Sequence, residues 1–267
     1  MVDLADEHPV DESLIRSEAH LGGLELTNAD LADATLTDAT LTETVLRFCT
    51  LTRADLRGAD LAEADLLKAS ANNADLRDVV LRDAILTGAD LTGSRLAHAD
   101  LAGAHAPDAA LPEATLAGAD LTDAVAYESD LRNARLENAD LVEANLRAAA
   151  LGGADLGAVD LRDAYVAGAD LGNASLVGAD LRGVSLAGAD LTGANLAETD
   201  LGDADLTDAT LRKADLTGAD LSGATLRATD ASTATLRDTR VVDHRGERVY
   251  ATKRTLHDLG AVVHPPE

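Results

Sequence analysis

A large aliphatic residue returns at every fifth position from Leu21 to Val241, and no insertion or deletion breaks the cadence. Of these 45 positions 39 are Leu; the others are Ala71, Ala106, Ala126, Val166, Ala231 and Val241. Two residues earlier runs a second column, from Ala29 to Thr239, in which 33 of 43 positions are Ala and the rest Thr, Ser, Val or Cys. A period of five scatters side chains around an α-helix and alternates them across a straight strand, so neither element accommodates it. The Gly and Asp between the columns depress helix propensity further.

The cadence predicts a small-x-Leu β segment whose small and large side chains share one face, followed by a two-residue corner. Gly fills the second corner position thirteen times between Gly58 and Gly223, as a turn with positive φ demands. Pro107 and Pro112 fall on the first corner position, where a fixed φ is tolerated. Repetition of this kind marks a solenoid, in which each repeat is stabilised by its neighbours.

Phe48, Tyr127, Tyr165 and Tyr250 are the only aromatics, too few for a packed-layer core in which each buries ~150–250 Å². The chain holds 48 acidic and 22 basic residues, a formal charge of −26. That sign opposes direct nucleic-acid binding and adhesion to anionic membranes. No segment approaches the ~18 apolar residues of a membrane span, and the acidic first twenty residues lack the basic start and apolar run of a signal peptide. The expectation is a soluble cytoplasmic protein. Three Lys stand against 19 Arg; this bias suits a genome rich in G and C, and the acid excess suits a salt-rich cytoplasm.

Runs such as Ala89-Asp90-Leu91-Thr92-Gly93 and Ala219-Asp220-Leu221-Ser222-Gly223 resemble the pentapeptide-repeat family, whose motif is Ala-(Asp/Asn)-Leu-x-x. The resemblance implies an all-β fold, a right-handed quadrilateral parallel β-helix with four pentapeptides per coil. Residues 21–240 then make about 11 coils, a stack ~53 Å long at strand spacing. Residues 1–20 are expected to form an acidic amino-terminal segment or cap, 21–240 the β-helix, and 241–267 a carboxyl-terminal cap. A helix is expected over Pro9–His20, with Asp11 as N-cap and Gly22-Gly23 ending it, so that Val10, Leu14 and Ile15 plug the first coil. The tail reads as a hairpin through Asp243-His244-Arg245-Gly246-Glu247 and a helix over Thr255–Leu259 stopped by Gly260. Such caps cover exposed strand edges. The same tail is a candidate surface for a homodimer, as in family members that pair end to end.

The core is expected to hold Leu31, Leu61, Leu91, Leu121, Leu141, Leu161, Leu181, Leu201 and Leu221. Ala106 and Ala126 stack in one ladder and leave a thinner core beneath Tyr127. Outside, Asp precedes the Leu twenty times between Asp30 and Asp230. Folded at twenty residues per coil, Asp100, Asp120, Asp140, Asp160, Asp180, Asp200 and Asp220 fall in one line, a candidate acidic interaction ladder. Asp60 and Val80 precede them, and Asp90, Asp130, Asp170, Asp190 and Asp230 lie on another face. Like charges in register destabilise cross-strand pairing; Arg162 and Arg182, two residues beyond Asp160 and Asp180, are placed to screen some of them.

No enzyme is read from this chain. His8, His20, His98, His105, His244, His257 and His264 have no nucleophile partner at a recognisable spacing, and Cys49, the only cysteine, sits in an inward column. Metal and phosphate-loop motifs are absent, the period lacks the paired acids of calcium-binding nonapeptides, and no cofactor is expected. Two readings of function remain. The first is an acidic scaffold offering flat faces to an unknown protein partner. The second follows from the resemblance, since some family members act as DNA look-alikes on type II topoisomerases such as DNA gyrase and confer quinolone resistance. The repeat holds −21 of the charge, one per ~2.5 Å of the expected rod against one per ~1.7 Å for duplex DNA.

Overall fold

The computed structural model describes residues 15–242 and 248–261, in two compact units that divide between Arg135 and Leu136. In the first unit each outward residue pairs in parallel with the residue twenty on, from His20 with Thr40 to Thr115 with Arg135. A corner interrupts the chain every five residues, so each circuit has four sides. Leu31 N–H donates to the Thr50 carbonyl (2.7 Å), Thr50 N–H to the Ala29 carbonyl (3.0 Å) and Asp33 N–H to the Thr52 carbonyl (3.0 Å). The corner closes on itself through Ala34 N–H and the Leu31 carbonyl (3.1 Å). Each pentapeptide thus sends three amides to adjacent coils and one across its own turn. The fifth, at the first corner position, points elsewhere.

The second unit repeats the scheme from the Asp140–Asp160 pair to the Asp220–Arg240 pair. Its Leu181 N–H reaches the Asp200 carbonyl at 2.7 Å, and Val184 N–H the Leu181 carbonyl at 3.2 Å. The chain then leaves the repeat for an antiparallel pair, β1 (Arg240–Val242) and β2 (Arg248–Tyr250). A short helix, α1 (Lys253–Asp258), follows; Thr252 caps it, exchanging side-chain and backbone hydrogen bonds with Thr255. Gly260, at φ +94°, places its carbonyl 2.9 Å from Ala228 N–H, an amide that elsewhere in the repeat meets the next coil. The expected hairpin loop 243–247 lies outside the described residues.

Inside each unit the Leu column is buried, apart from a half-buried Leu236 near its carboxyl-terminal end. Leu31, Leu61, Leu91, Leu141, Leu161, Leu181, Leu201 and Leu221 are all at most 3% exposed, and Leu121 is 7% exposed. The small column fits beside them because the space between facing sides is narrow. Where it carries a hydroxyl or thiol, the group bonds a carbonyl: Thr44 Oγ1 and Cys49 Sγ donate to the Leu21 and Leu26 carbonyls of the previous coil (2.9 and 2.7 Å). Burial pushes the Cys49 thiol up to about 12.

The amino-terminal expectation needs correction. Residues 1–14, with Asp11, Val10 and Leu14, lie outside the described residues, but Arg16–His20 is no helix. Ala19 N–H closes a turn on the Arg16 carbonyl (3.2 Å), Glu18 has φ +58°, and His20 bridges to Thr40. Ala19 already occupies the small inward column at 4% exposure, so the repeat geometry begins before residue 21. Gly22 and Gly23 are accordingly corner residues rather than a helix stop. No described helix is long and apolar enough to cross a membrane.

Among the described repeats the second corner position is left-handed at every residue except Thr233, and not only at Gly: Asp33, Lys68, Asn73 and Ala148 hold φ of +52° to +58°. Gly183 and Gly188 share φ +68°, yet a Cβ on Gly183 would run into the Asp163 carboxylate of the previous coil while one on Gly188 meets nothing within 4 Å. Gly188→Ala should therefore cost only the backbone term, about 1 kcal/mol, and Gly183→Ala measurably more, by thermal denaturation of both variants. Leu141→Ala should cost ~2–5 kcal/mol in the same assay, because Leu141 is fully buried and the lumen cannot collapse around the void.

Candidate functional site

The outward residue before each Leu is where this chain meets its surroundings, and its Asp side chains have a local task. Asp30, Asp60, Asp90 and Asp120 in the first unit accept the backbone N–H two residues on at 3.0–3.1 Å. In the second unit Asp140, Asp170, Asp190 and Asp220 do the same at 2.9–3.1 Å. Asn145 and Asn195 substitute with their amide oxygens, at 3.3 and 3.1 Å. This is the hydrogen bond of an Asx-turn, and it takes up the one amide per pentapeptide that neither the turn nor the next coil accepts. Pro107 and Pro112 have no such amide, and the residues two before them are His105 and Ala110.

Arg at the first corner position follows a rule of reach. Where an Asp stands two residues earlier, Arg folds back onto it: Arg57 on Asp55, Arg77 on Asp75, Arg132 on Asp130, Arg162 on Asp160 and Arg182 on Asp180, at 2.5–2.7 Å. Where that position holds Val45, Val80 or Thr210, Arg crosses to the Asp of the next coil. Arg47 and Arg212 reach Asp65 and Asp230 at 2.6 and 2.7 Å, and Arg82 pairs with Asp100. Arg147, preceded by Asn145, crosses instead to the Tyr165 ring, 4.6 Å from its centroid.

The residues of the expected ladder fall in two separate runs. Asp100 and Asp120 are neighbours in the first unit, whereas Asp140, Asp160, Asp180, Asp200 and Asp220 form an unbroken file in the second. Arg162 lies 2.7 Å from Asp160 and 3.8 Å from Asp180; Arg182 lies 2.5 Å from Asp180 and 3.7 Å from Asp200. Arg240 ends the file 3.8 Å from Asp220. Acid and base thus alternate along its middle. The hydrogen bond from Arg162 holds the Asp160 carboxyl below the usual carboxylate range, and Arg182 does the same for Asp180.

The family model for pentapeptide repeats, written as eight copies, matches overlapping stretches from residues 17–47 to 199–238. The chain belongs to the pentapeptide repeat family. Among solved structures, this pentapeptide repeat chain is similar to HetL, a pentapeptide repeat protein involved in heterocyst differentiation regulation in the cyanobacterium Nostoc sp. strain PCC 7120. Identity is 35% over 88% of this chain and 91% of HetL, with a TM-score of 0.31. It is also similar to a trypsin-treated form of QnrB1, a plasmid-mediated fluoroquinolone resistance protein, at 19% identity over 64% of this chain and 91% of that one, with a TM-score of 0.43. No curated protein sequence matches.

Among the described residues no group of three or more His, Cys, Asp or Glu is arranged to hold a metal ion. His98 is a corner residue and His105 an outward residue of the first unit, His98 beside Gly118 and His105 with Nδ1 3.1 Å from Thr87 Oγ1. Sequence reading missed the structural use of the Asp column, although the spacing from Asp to the first corner amide is that of an Asx-turn.

The Arg-paired carboxyls set the acid limb of stability for this pentapeptide repeat chain. Their folded values are lowered, so their contribution is complete above about pH 4 and is lost as pH falls through the folded values. The melting temperature should drop on acidification below pH 4, and less steeply for the double variant Arg162→Gln, Arg182→Gln. A rise on acidification would mean that repulsion within the file outweighs its ion pairs.

Proposed function

We propose that this pentapeptide repeat protein is a non-enzymatic interaction scaffold that presents flat, acidic faces to a protein partner. The observation that carries this reading is the register of the outward column. Its Asp and Asn side chains brace the corner amides, and on each side they also stand in register, one to a coil, where a partner can reach them. Such a surface recognises a partner by charge pattern and shape rather than by a pocket. The carboxyl-terminal hairpin and α1 cover the last coil, with the Gly260 carbonyl meeting Ala228 N–H, and the same tail is a candidate surface for a homodimer.

A second reading, a DNA-mimicking inhibitor or protector of a type II topoisomerase, is favoured by the in-line file from Asp140 to Asp220. Against it, Arg162 and Arg182 neutralise the middle of that file, where a mimic of the phosphate backbone needs its charge bare.

One set of substitutions tests both. Asp→Asn at Asp140, Asp160, Asp180, Asp200 and Asp220 removes charge but keeps the acceptor for each corner amide, as Asn145 and Asn195 demonstrate, so the coil should stay folded. Wild type and variant are used side by side as bait, and a partner held by the acidic face should be retained by wild type and lost from the variant. Equal capture by both would remove that face from the proposal. In a gyrase supercoiling assay the scaffold reading expects no inhibition and no quinolone rescue; inhibition lost in the Asn variant would establish the mimic instead.

A further inference from the structure

Outward Val or Ile occurs at only four positions between His20 and Arg240, namely Val45, Val80, Ile85 and Val125. Three of them share one side of the first unit, in the file Val45, Asp65, Ile85, His105, Val125. Between Val45 and Val125 the one acid is Asp65, 9% exposed and tied to Arg47 at 2.6 Å, and Glu25 precedes Val45 in the same file. The corner that follows this side carries Phe48, Leu67 and Tyr127, of which Phe48 is 49% and Tyr127 37% exposed, together with the charged Lys68, Asp108 and Glu128. The corner that precedes it carries Glu43, Glu63, Asp83 and Asp123, all exposed. The side is therefore an apolar strip between a mostly carboxylate edge, broken by Arg82, and a mixed edge that holds two exposed aromatics. Single exposed apolar residues need no explanation; this alignment on an otherwise acidic surface does.

We infer that this side docks a cationic amphipathic α-helix of a partner protein. The inference rests on reading the chain as an interaction scaffold and names the surface and the partner's chemistry. Val45, Ile85 and Val125 recur every second coil, ~10 Å apart at strand spacing. A helix laid along the file presents one residue per ~10.5 Å at heptad spacing, so one apolar stripe meets all three. An extended strand covers ~10 Å in three residues, which turns alternate contacts to opposite faces. Lys or Arg along one flank, three or four residues apart, then face the carboxylate edge. A second copy of this chain is the wrong occupant, since it would bring another net charge of −26 to an acidic edge.

The test uses the full chain and a fluorescent synthetic peptide of three heptads, with Leu on one stripe and Lys along one flank, together with a scrambled peptide of the same composition. Binding is read by fluorescence anisotropy for wild type and for the triple variant Val45→Asp, Ile85→Asp, Val125→Asp. Asp is the repeat's own residue at this position and supplies the acceptor that Asp90 gives Thr92, so the variant should fold; its melting curve checks this. The two mechanisms predict opposite signs. Docking on the apolar strip weakens roughly tenfold or more when the three aliphatic contacts go, whereas attraction by charge alone strengthens when three carboxylates are added. Selective binding of the amphipathic peptide, lost in the variant, supports the inference. Equal binding of both peptides, or tighter binding by the variant, overturns it and leaves the acidic scaffold standing. Failure of both peptides to bind overturns the two together. Sedimentation showing a wild-type dimer that the variant dissolves would make a second copy the occupant and also overturn it.

Discussion

The constraint on which everything else rests is the backbone amide at each corner. A chain that turns every five residues and stacks in register can send three amides of each pentapeptide to neighbouring coils and one across its own turn. The remaining N–H faces outward, beside a buried Leu, and an amide left without a partner in such a place is costly. Asp, placed two residues earlier on the adjacent outward position, reaches it with a carboxylate oxygen, and Asn is its neutral equivalent. Much of the negative charge is therefore a consequence of building corners, whatever the solvent or the partner.

That solution creates the next problem. Carboxylates needed once per side stack directly above one another at strand spacing, and like charges in register oppose the pairing they serve. Arg at the first corner position answers this with one length of side chain and two targets. It folds back when its own outward neighbour is acidic, and beside Val45, Val80 and Thr210 it crosses to the next coil. Each of these pairs is largely exposed and individually modest, but in the file from Asp160 to Asp200 they join into an alternating series. The resulting face is less negative than a count of its acids implies.

Most of the architecture could be read from the sequence because a solenoid writes its core as a period. Leu141 or Leu181 needs no structure to be placed inside, and Gly at the second corner position announces positive φ. The same clarity misled at the amino terminus. Arg16–His20 lacks the Leu that marks later repeats, so it passed for a helix, yet Ala19 in the small column and a left-handed Glu18 already make it a corner. The role of the Asp column was hidden for a different reason. Composition reports charge, whereas the bond from Asp170 to Gly172 N–H, at 2.9 Å, uses an acceptor that happens to be charged. Which acid a given Arg selects depends on distances between coils that a linear reading does not contain.

If Asp is what the coil itself requires at the outward position, then Asp there carries little information about a partner, and the informative positions are those that do without it. Val45, Ile85 and Val125 offer no side-chain acceptor to the amides of Arg47, Thr87 and Tyr127. A side chain that forgoes a backbone bond and exposes hydrocarbon works against the coil on both counts. Its presence three times in one file of the first unit is then better explained by what touches that surface than by what lies beneath it. In a repeat protein the core residues repeat because the coil demands it, and recognition has to be sought where the repeat is broken without any gain to the coil.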